Sequence, residues 1–387
     1  MLDFSLSPAQ QELRDGILAF AQARLNDDVI GRDRAHAFPR DAWDAMGEHG
    51  LLGLSVPTRW GGLGLDALTT AIAVEALGEG CTDGGLVFSA AAHLFAAVMP
   101  LVEGGSDALR DALLPGLATG QLIGANAITE AEAGSDVFSL KTRATRDGDS
   151  YVIDGAKSYV TNGPVADVFL VYATTNPAWG MLGVTGFAVR RDTPGLRVGQ
   201  AFEKMGLRTS PIASVYFDGC RVPAACRLGE EGDGASLFTR SMHWERACLF
   251  AGYVGAMQRQ LDMAVAQARS RKQFKKAIGK NQAISHRIVD MRLRLDAARL
   301  LLYRACWARD QGRDASLEVS LAKIAISEAA VQSGLDLLQI FGGIGYTVEM
   351  GVERALRDAL PATLFSGTSE MQRSLIAAAE LDRWVRA

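Results

Sequence analysis

The chain has 387 residues, 48% hydrophobic and 22% charged, with a formal net charge of −4. Such a length exceeds one ordinary core and suits two or three packed domains. The acidic balance argues against nucleic acid as a main partner, because a phosphate backbone calls for a basic excess. The five cysteines are scattered and form no C-x-x-C pair, which argues against a disulfide framework or a structural zinc and for a reducing cytoplasm.

Met1-Leu2-Asp3-Phe4-Ser5 lacks the basic region and apolar run of a signal peptide. Ser7-Pro8-Ala9-Gln10 then predicts a helix start, with an N-cap Ser, Pro at the first helical position and Gln three residues on. Leu13, Ile17, Phe20 and Leu25 follow near helical spacing. An uncharged stretch from Gly84 to Val102 is about as long as a bilayer span. Its His93, Pro100, many alanines and acidic flanks favour a buried core helix, so no membrane partner is expected.

From about residue 121 the pattern shifts to short β-rich runs. Asp147-Gly148 and Asp154-Gly155 read as hairpin turns beside Tyr151-Val152-Ile153 and Ser158-Tyr159-Val160-Thr161. Val168–Tyr172 and Val215–Phe217 are further strands, and the short spacing predicts an antiparallel sheet without crossover helices. Beyond about residue 235 the pattern is helical again. Ile288, Met291, Leu295, Ala298 and Leu302 form one stripe, and Leu321, Ile324, Val331, Leu335 and Leu338 another, as in an antiparallel bundle. The reading is an α+β chain: a helical domain over 1–120, a middle antiparallel β domain over 121–232, and a four-helix bundle over 233–387.

No G-x-G-x-x-G follows a predicted strand, so a Rossmann dinucleotide site is disfavoured; Gly342-Gly343-Ile344-Gly345 follows a helix. Three polar segments stand out: Thr129-Glu130-Ala131-Glu132-Ala133-Gly134-Ser135-Asp136, Tyr159-Val160-Thr161-Asn162-Gly163 and Arg271-Lys272-Gln273-Phe274-Lys275-Lys276. Taken singly they read as a loop, a strand end and a solvated basic helix end.

Taken in order, with Leu6–Arg14, Trp60-Gly61-Gly62-Leu63-Gly64, Gln339–Tyr346, Glu353-Arg354, Arg357-Asp358 and Gly367-Thr368-Ser369-Glu370-Met371-Gln372-Arg373, they resemble the acyl-CoA dehydrogenase family over nearly the whole chain. The resemblance implies FAD as cofactor. Thr129 and Ser135 are then expected on the flavin and its pyrophosphate, with Tyr159 and Thr161 beside the isoalloxazine ring. Arg271, Phe274, Gln339, Gly342 and Gly343 are expected on the FAD of a neighbouring subunit, Gln282 on its adenosine half, and Thr368 at the C-terminal side of the site. A shared FAD implies a homo-oligomer, usually a dimer of dimers in this family.

Three departures from the family pattern matter. Lys275 replaces the usual Gly, Asn281 precedes Gln282 where Phe or His is common, and Ser366 stands where most members carry the catalytic Glu immediately before Gly-Thr. A serine cannot act as a base near neutral pH. A branch that includes isovaleryl- and long-chain-type enzymes carries its Glu 26 residues before the pyrophosphate arginine. Counting back from Arg271 reaches Glu245, in His243-Trp244-Glu245-Arg246.

The implied reaction is α,β-dehydrogenation of an acyl thioester. Glu245 takes the α-proton, flavin N5 takes the β-hydride, the Ser366 backbone N–H polarises the thioester carbonyl, and Arg246 contacts the thioester arm along with Ser135. Acyl-CoA is the default substrate and an electron-transferring flavoprotein the expected acceptor. One alternative keeps the chemistry on an acyl or prolyl group held by a carrier protein of secondary metabolism, with the basic string Arg269, Arg271, Lys272, Lys275, Lys276 and Lys280 as a receiving surface. A further alternative is a flavin oxidase or monooxygenase on the same scaffold.

Overall fold

A computed structural model describes residues 5–386. Ser7 opens the first helix with the capping box that the sequence predicts: the Gln10 N–H donates to Ser7 Oγ at 3.2 Å, and the Ser7 N–H donates to Gln10 Oε1 at 3.0 Å. Helix α1 (Pro8–Arg24) is followed by α2 (Val29–Ala35), α3 (Arg40–Glu48) and α4 (Ala67–Gly80). Next come α5 (Gly84–Ala92), a π segment (His93–Val98), α6 (Met99–Gly104) and α7 (Asp107–Ala118). The run Gly84–Gly104 is long and apolar enough to cross a bilayer, but 83% of its most apolar window is buried inside the protein. It is a core helix: Leu86, Leu94, Phe95 and Val98 are buried in the main hydrophobic cluster.

Eight strands form one sheet: β1 (Gly124–Ala127), β2 (Arg143–Asp147), β3 (Ser150–Thr161), β4 (Val168–Thr174), β5 (Val184–Arg190), β6 (Leu196–Ala201), β7 (Ile212–Pro223) and β8 (Arg227–Leu228). Their order is β6-β7-β3-β2-β4-β5-β8, with β1 beside β4. The sheet is mixed rather than wholly antiparallel. Strand β1 runs parallel to β4, and β2 meets β4 in one parallel pair, Arg143 with Thr174. A parallel pair needs a crossover; here the β2–β3 hairpin supplies it in place of a helix.

Asp147-Gly148 makes the expected hairpin, with Asp147 paired to Ser150. Asp154-Gly155 does not. It lies inside β3 at a register shift against β7, and a Cβ on Gly155 would sit 2.7 Å from Thr142 Cα. That glycine permits close backbone approach rather than chain reversal. Strand β4 is buried on both faces: Val168, Leu170 and Tyr172 enter the helical core, while Phe169, Val171 and Ala173 enter a second cluster within the sheet layer.

The chain then returns to helix in α8 (Gly234–Trp244), a π segment (Glu245–Leu249) and α9 (Ala251–Ser270). A small hairpin of β9 (Lys272–Gln273) and β10 (Lys276–Ala277) leads into α10 (Gln282–Asp310), α11 (Ser316–Phe341), α12 (Val352–Ala359) and α13 (Ser369–Arg386). On α10 the expected stripe is buried at Met291, Leu295, Ala298 and Leu302. On α11 the buried face is shifted to Val319, Ala322, Ile326, Ala330, Leu337 and Ile340, and Leu335 is 44% exposed. The packed face is rich in small residues. Gly334, whose added Cβ would meet Leu356 Cα at 3.0 Å, lies on that face with Ala329, Ala330 and Ser333 and lets α12 approach closely there.

One polar cross-link ties the sheet to the loop before β2. Lys157 on β3 is fully buried; its Nζ donates to Glu130 Oε1 at 2.8 Å and to the Ile128 carbonyl at 3.0 Å. Glu130 also accepts the Lys141 and Thr142 N–H groups at 2.7 and 3.0 Å. Burial works against the Glu130 charge, but these hydrogen bonds and the ammonium outweigh it and hold its pKa below the ordinary value. Breaking such a pair leaves a buried charge unmatched. Lys157→Met is therefore expected to cost about 3–5 kcal/mol, seen as a lower urea midpoint at unchanged slope. A loss under about 1 kcal/mol, the scale of an exposed pair, would show that the pair does not hold the loop.

Candidate active site

Glu245 starts the π segment that joins α8 to α9. A π turn widens the helix locally and re-aims the side chains on it, a device often found at functional sites. Here it turns Glu245 and Arg246 into a cleft of about 480 Å³. Glu245 is 8% exposed. Ser366 Oγ donates to its Oε1 at 2.5 Å, and Arg246 Nε donates to the Ser366 carbonyl at 3.0 Å. Gln372 Nε2 reaches the Ser366 and Gly367 carbonyls, each at 3.4 Å. Burial raises the Glu245 pKa above the ordinary carboxylate value, opposed by the Ser366 hydrogen bond and the Arg246 charge.

The backbone around Ser366 is unusual. Ser366 and Gly367 have φ of +54° and +82°, so two successive left-handed residues reverse the chain into the cleft. The φ of Gly367 is one that L side chains rarely adopt, and a Cβ there would also sit 2.5 Å from Gln372 Nε2, so glycine is strongly favoured. The Leu364 and Phe365 N–H groups both bond the Pro361 carbonyl, and the Ser366 N–H is not part of that turn.

The sheet supplies the opposite wall. Thr129, Ser135, Tyr159 and Thr161 line the same cleft as Glu245 and Arg246. Tyr159 is 62% exposed, has φ +57°, and rests its ring on Phe202 with centroids 5.5 Å apart. Two motif residues prove to be supports. Glu130 pins the loop carrying Thr129 and Ser135, as described above. Asn162 is buried and donates to the Ser89 carbonyl at 3.0 Å, fastening the end of β3 to α5. The sequence reading assigned no role to Glu130, Asn162 or Gln372. Their places inside or beside the motif runs were the only signal, and only the folded contacts separate support from lining.

The other expected residues lie outside this cleft. Arg271 is exposed after α9, and Phe274, 91% exposed, forms the hairpin tip with Lys275. Both tip residues have positive φ, as a two-residue type I′ turn requires, which accounts for glycine being favoured where Lys275 stands. Gln282 begins α10 and is exposed, as are Gln339, Gly342 and Gly343 at the end of α11. Nothing lies within 4 Å of a Cβ added to Gly342 or Gly343. Thr368 caps α13, its Oγ1 accepting the Met371 N–H at 3.2 Å.

The cleft suits a flat heteroaromatic cofactor. An exposed aromatic face at Tyr159, the hydroxyls of Thr129, Ser135 and Thr161, and open space at Gly134 all meet there. So does Asn126 Oδ1, a buried acceptor with no partner among the described residues. A bound N–H donor would satisfy it.

Comparison with known proteins agrees with this geometry. Models of the acyl-CoA dehydrogenase N-terminal, middle and C-terminal domains match residues 7–121, 125–220 and 232–381. An L-prolyl-[peptidyl-carrier protein] dehydrogenase of Pseudomonas fluorescens is 54% identical over 97% of this chain and 99% of its own. The crystal structure of the prolyl acyl carrier protein oxidase AnaB is 44% identical, covers 97% of this chain and 99% of its own, and has a TM-score of 0.95. A structure of PigA with FAD and proline is 42% identical, covers 99% and 100%, and has a TM-score of 0.96. The chain belongs to the acyl-CoA dehydrogenase family, and is an FAD-dependent dehydrogenase of acyl thioesters.

Proposed function

We propose that Glu245 is the general base of this dehydrogenation and that the natural substrate is a prolyl thioester on a carrier protein. The observation that carries the first part is the buried Glu245 carboxylate, held by Ser366 in the cleft lined by Tyr159 and Thr161. The second part rests on likeness to prolyl-carrier-protein enzymes at 54% and 44% identity, which favours the carrier route over the acyl-CoA default.

In this reading the thioester carbonyl acidifies the α-carbon, and Glu245 accepts the α-proton. Its raised pKa makes it a stronger base than an exposed glutamate. The Ser366 N–H donates to the thioester oxygen as negative charge develops there, and Arg246 fixes the peptide by holding the Ser366 carbonyl. FAD, when bound, supplies the two-electron acceptor that takes the β-hydrogen as hydride. Thr129, Ser135, Tyr159 and Thr161 hold the flavin half of the cofactor. Arg271, Phe274, Gln282, Gln339, Gly342 and Gly343 meet the FAD of a second subunit, with Thr368 closing the C-terminal side. Their exposure suits such sharing, and so do the exposed apolar Leu293, Leu300 and Leu335 on α10 and α11; the assembly is a dimer of dimers. Electrons pass on to an electron-transferring flavoprotein. AnaB, described as an oxidase, is the observation favouring oxygen as a second reading. Five free cysteines, four of them buried, accord with a reducing cytoplasm.

Glu245→Gln should keep FAD yet lose thioester-driven flavin reduction by at least about 10²-fold, read by anaerobic bleaching with a prolyl thioester. A loss under about tenfold would place the base elsewhere. The same variant should be more stable than wild type at neutral pH. The folded pKa of Glu245 is raised, so its charge opposes folding once pH exceeds the ordinary carboxylate value. The difference should close as pH falls through that value, as thermal unfolding would show. Adding Ser366→Glu to Glu245→Gln should restore part of the reduction, since the α-carbon is reachable from both positions.

Ser366→Ala removes a hydrogen bond that stabilises the Glu245 anion. The acid limb of the kcat/KM profile should therefore move to higher pH, with FAD content unchanged. An unmoved limb would show that Ser366 Oγ does not tune the base. For the carrier, Lys275→Glu with Lys276→Glu should slow flavin reduction by prolyl-carrier protein far more than by prolyl-pantetheine. Equal effects on both would remove this hairpin from the docking surface.

A further inference from the structure

The cleft that holds Glu245 ends against Phe88, and beyond that ring lies a second cavity of about 430 Å³. Gly84, Phe88, Ala92 and Ala96 fall at successive i+4 positions along α5 and its π continuation, so they share one face. Ala92 and Ala96 line the Glu245 cleft, Gly84 lines the second cavity, and Phe88 lines both. Phe88 is the one bulky side chain in that row. Its ring meets Phe365, the residue before Ser366, with centroids 4.7 Å apart and planes at 48°. Phe365 is backed by Phe250 at 5.4 Å and Tyr253 at 6.3 Å, whereas Phe88 faces cavity space on both sides.

The second cavity is suited to hydrocarbon. Val87, Leu249, Met263 and Leu337 are on its wall. Its charged groups are already engaged by the protein: Arg259 donates to the carbonyls of Gly78, Glu79 and Cys81, Arg354 donates to the Thr82 carbonyl at 3.2 Å, Asp358 accepts the Leu207 N–H at 2.6 Å, and Asp28 accepts the Gly31 N–H at 3.1 Å; Gln260 Oε1 on the same wall has no partner among the described residues. An apolar chain entering it would strip no partner from these groups.

We propose that Phe88 sets the acyl specificity of this enzyme. With Phe365 it forms the end wall of the pocket and limits the acyl group to a short chain or a five-membered ring. Shortening Phe88 joins the two cavities and admits a longer linear acyl chain past Glu245. The proposal rests on the cleft being the thioester site.

The test uses FAD-loaded wild type, Phe88→Ala and Phe88→Leu. Calorimetry measures binding of two inert thioethers, S-propyl- and S-octyl-pantetheine, and anaerobic bleaching measures reduction by butyryl- and decanoyl-pantetheine. Wild type should bind the octyl thioether at least about tenfold more weakly than the propyl one, and Phe88→Ala should gain at least about tenfold for octyl, since one methylene in an apolar pocket is already worth about 10–200-fold. Phe88→Leu should fall between them, and decanoyl bleaching should follow octyl binding. Wild type that binds both tails equally overturns the proposal. So do folded variants that bind propyl but gain nothing for octyl. If Phe88→Ala fails to fold, Phe88→Leu decides by the same comparison. Wild type that neither binds nor is bleached by any thioester would instead overturn the reading of the cleft, and the proposal with it.

Discussion

A carboxylate can be buried only if its charge is matched or its pKa moves, and the site is arranged around that condition. Glu245 is removed from water by the helices around it, yet it keeps one strong hydrogen bond, from Ser366, and a nearby cation, Arg246. Those two partners are themselves joined, because Arg246 Nε holds the Ser366 carbonyl. The Glu245 carboxylate, the Ser366 peptide and the Arg246 guanidinium are therefore one unit spanning two segments far apart in sequence. Moving any member shifts the others.

Two π segments set the position of that unit. Phe95 of the one at His93–Val98 stacks on Trp244, the last residue before the one at Glu245–Leu249, with centroids 6.2 Å apart and planes 7° from parallel. Trp244 is further held by Glu103, which accepts its Nε1–H at 2.8 Å, and by the Arg309 guanidinium 4.0 Å above the ring. The residue immediately before Glu245 is thus fixed on three sides. His93 ties the other π segment to the sheet. Its Nδ1 accepts the Gly124 N–H at 2.8 Å, which leaves Nε2 to donate to the Leu117 carbonyl at 3.0 Å. Burial pushes its pKa down to about 4, so the ring stays neutral and keeps that tautomer.

The sheet side is held by polar cross-links rather than by packing alone. Glu130 gathers one ammonium and two backbone N–H groups, and Asn162 bonds across to α5. Both hold backbone that presents cleft-lining side chains a few residues away. This division explains why a motif such as Thr129–Asp136 mixes residues of two kinds. The lining residues need reach into the cleft, and the supports need burial with every hydrogen bond filled.

Much of this was readable from sequence because it depends on local chemistry. The Ser7 cap, the Asp147-Gly148 hairpin, the α10 stripe and the helix–sheet–helix order follow from caps, turn residues and periodicity. Glu245 is singled out in the sequence by its offset from Arg271 and by the serine at 366, and the structure buries it beside that serine. What periodicity could not supply was anything set by contacts between distant segments. Gly155 reads as a turn until Thr142 is seen against it. Leu335 of α11 reads as core until the small residues Ala330, Ser333 and Gly334 are seen to take the packed face. Ser366 reads as a vacancy until its hydroxyl is found on the Glu245 carboxylate. Sequence determined which groups this protein has and which local structures carry them. Only the tertiary structure decided which of them meet, because close approach depends on shape and burial summed over the whole chain.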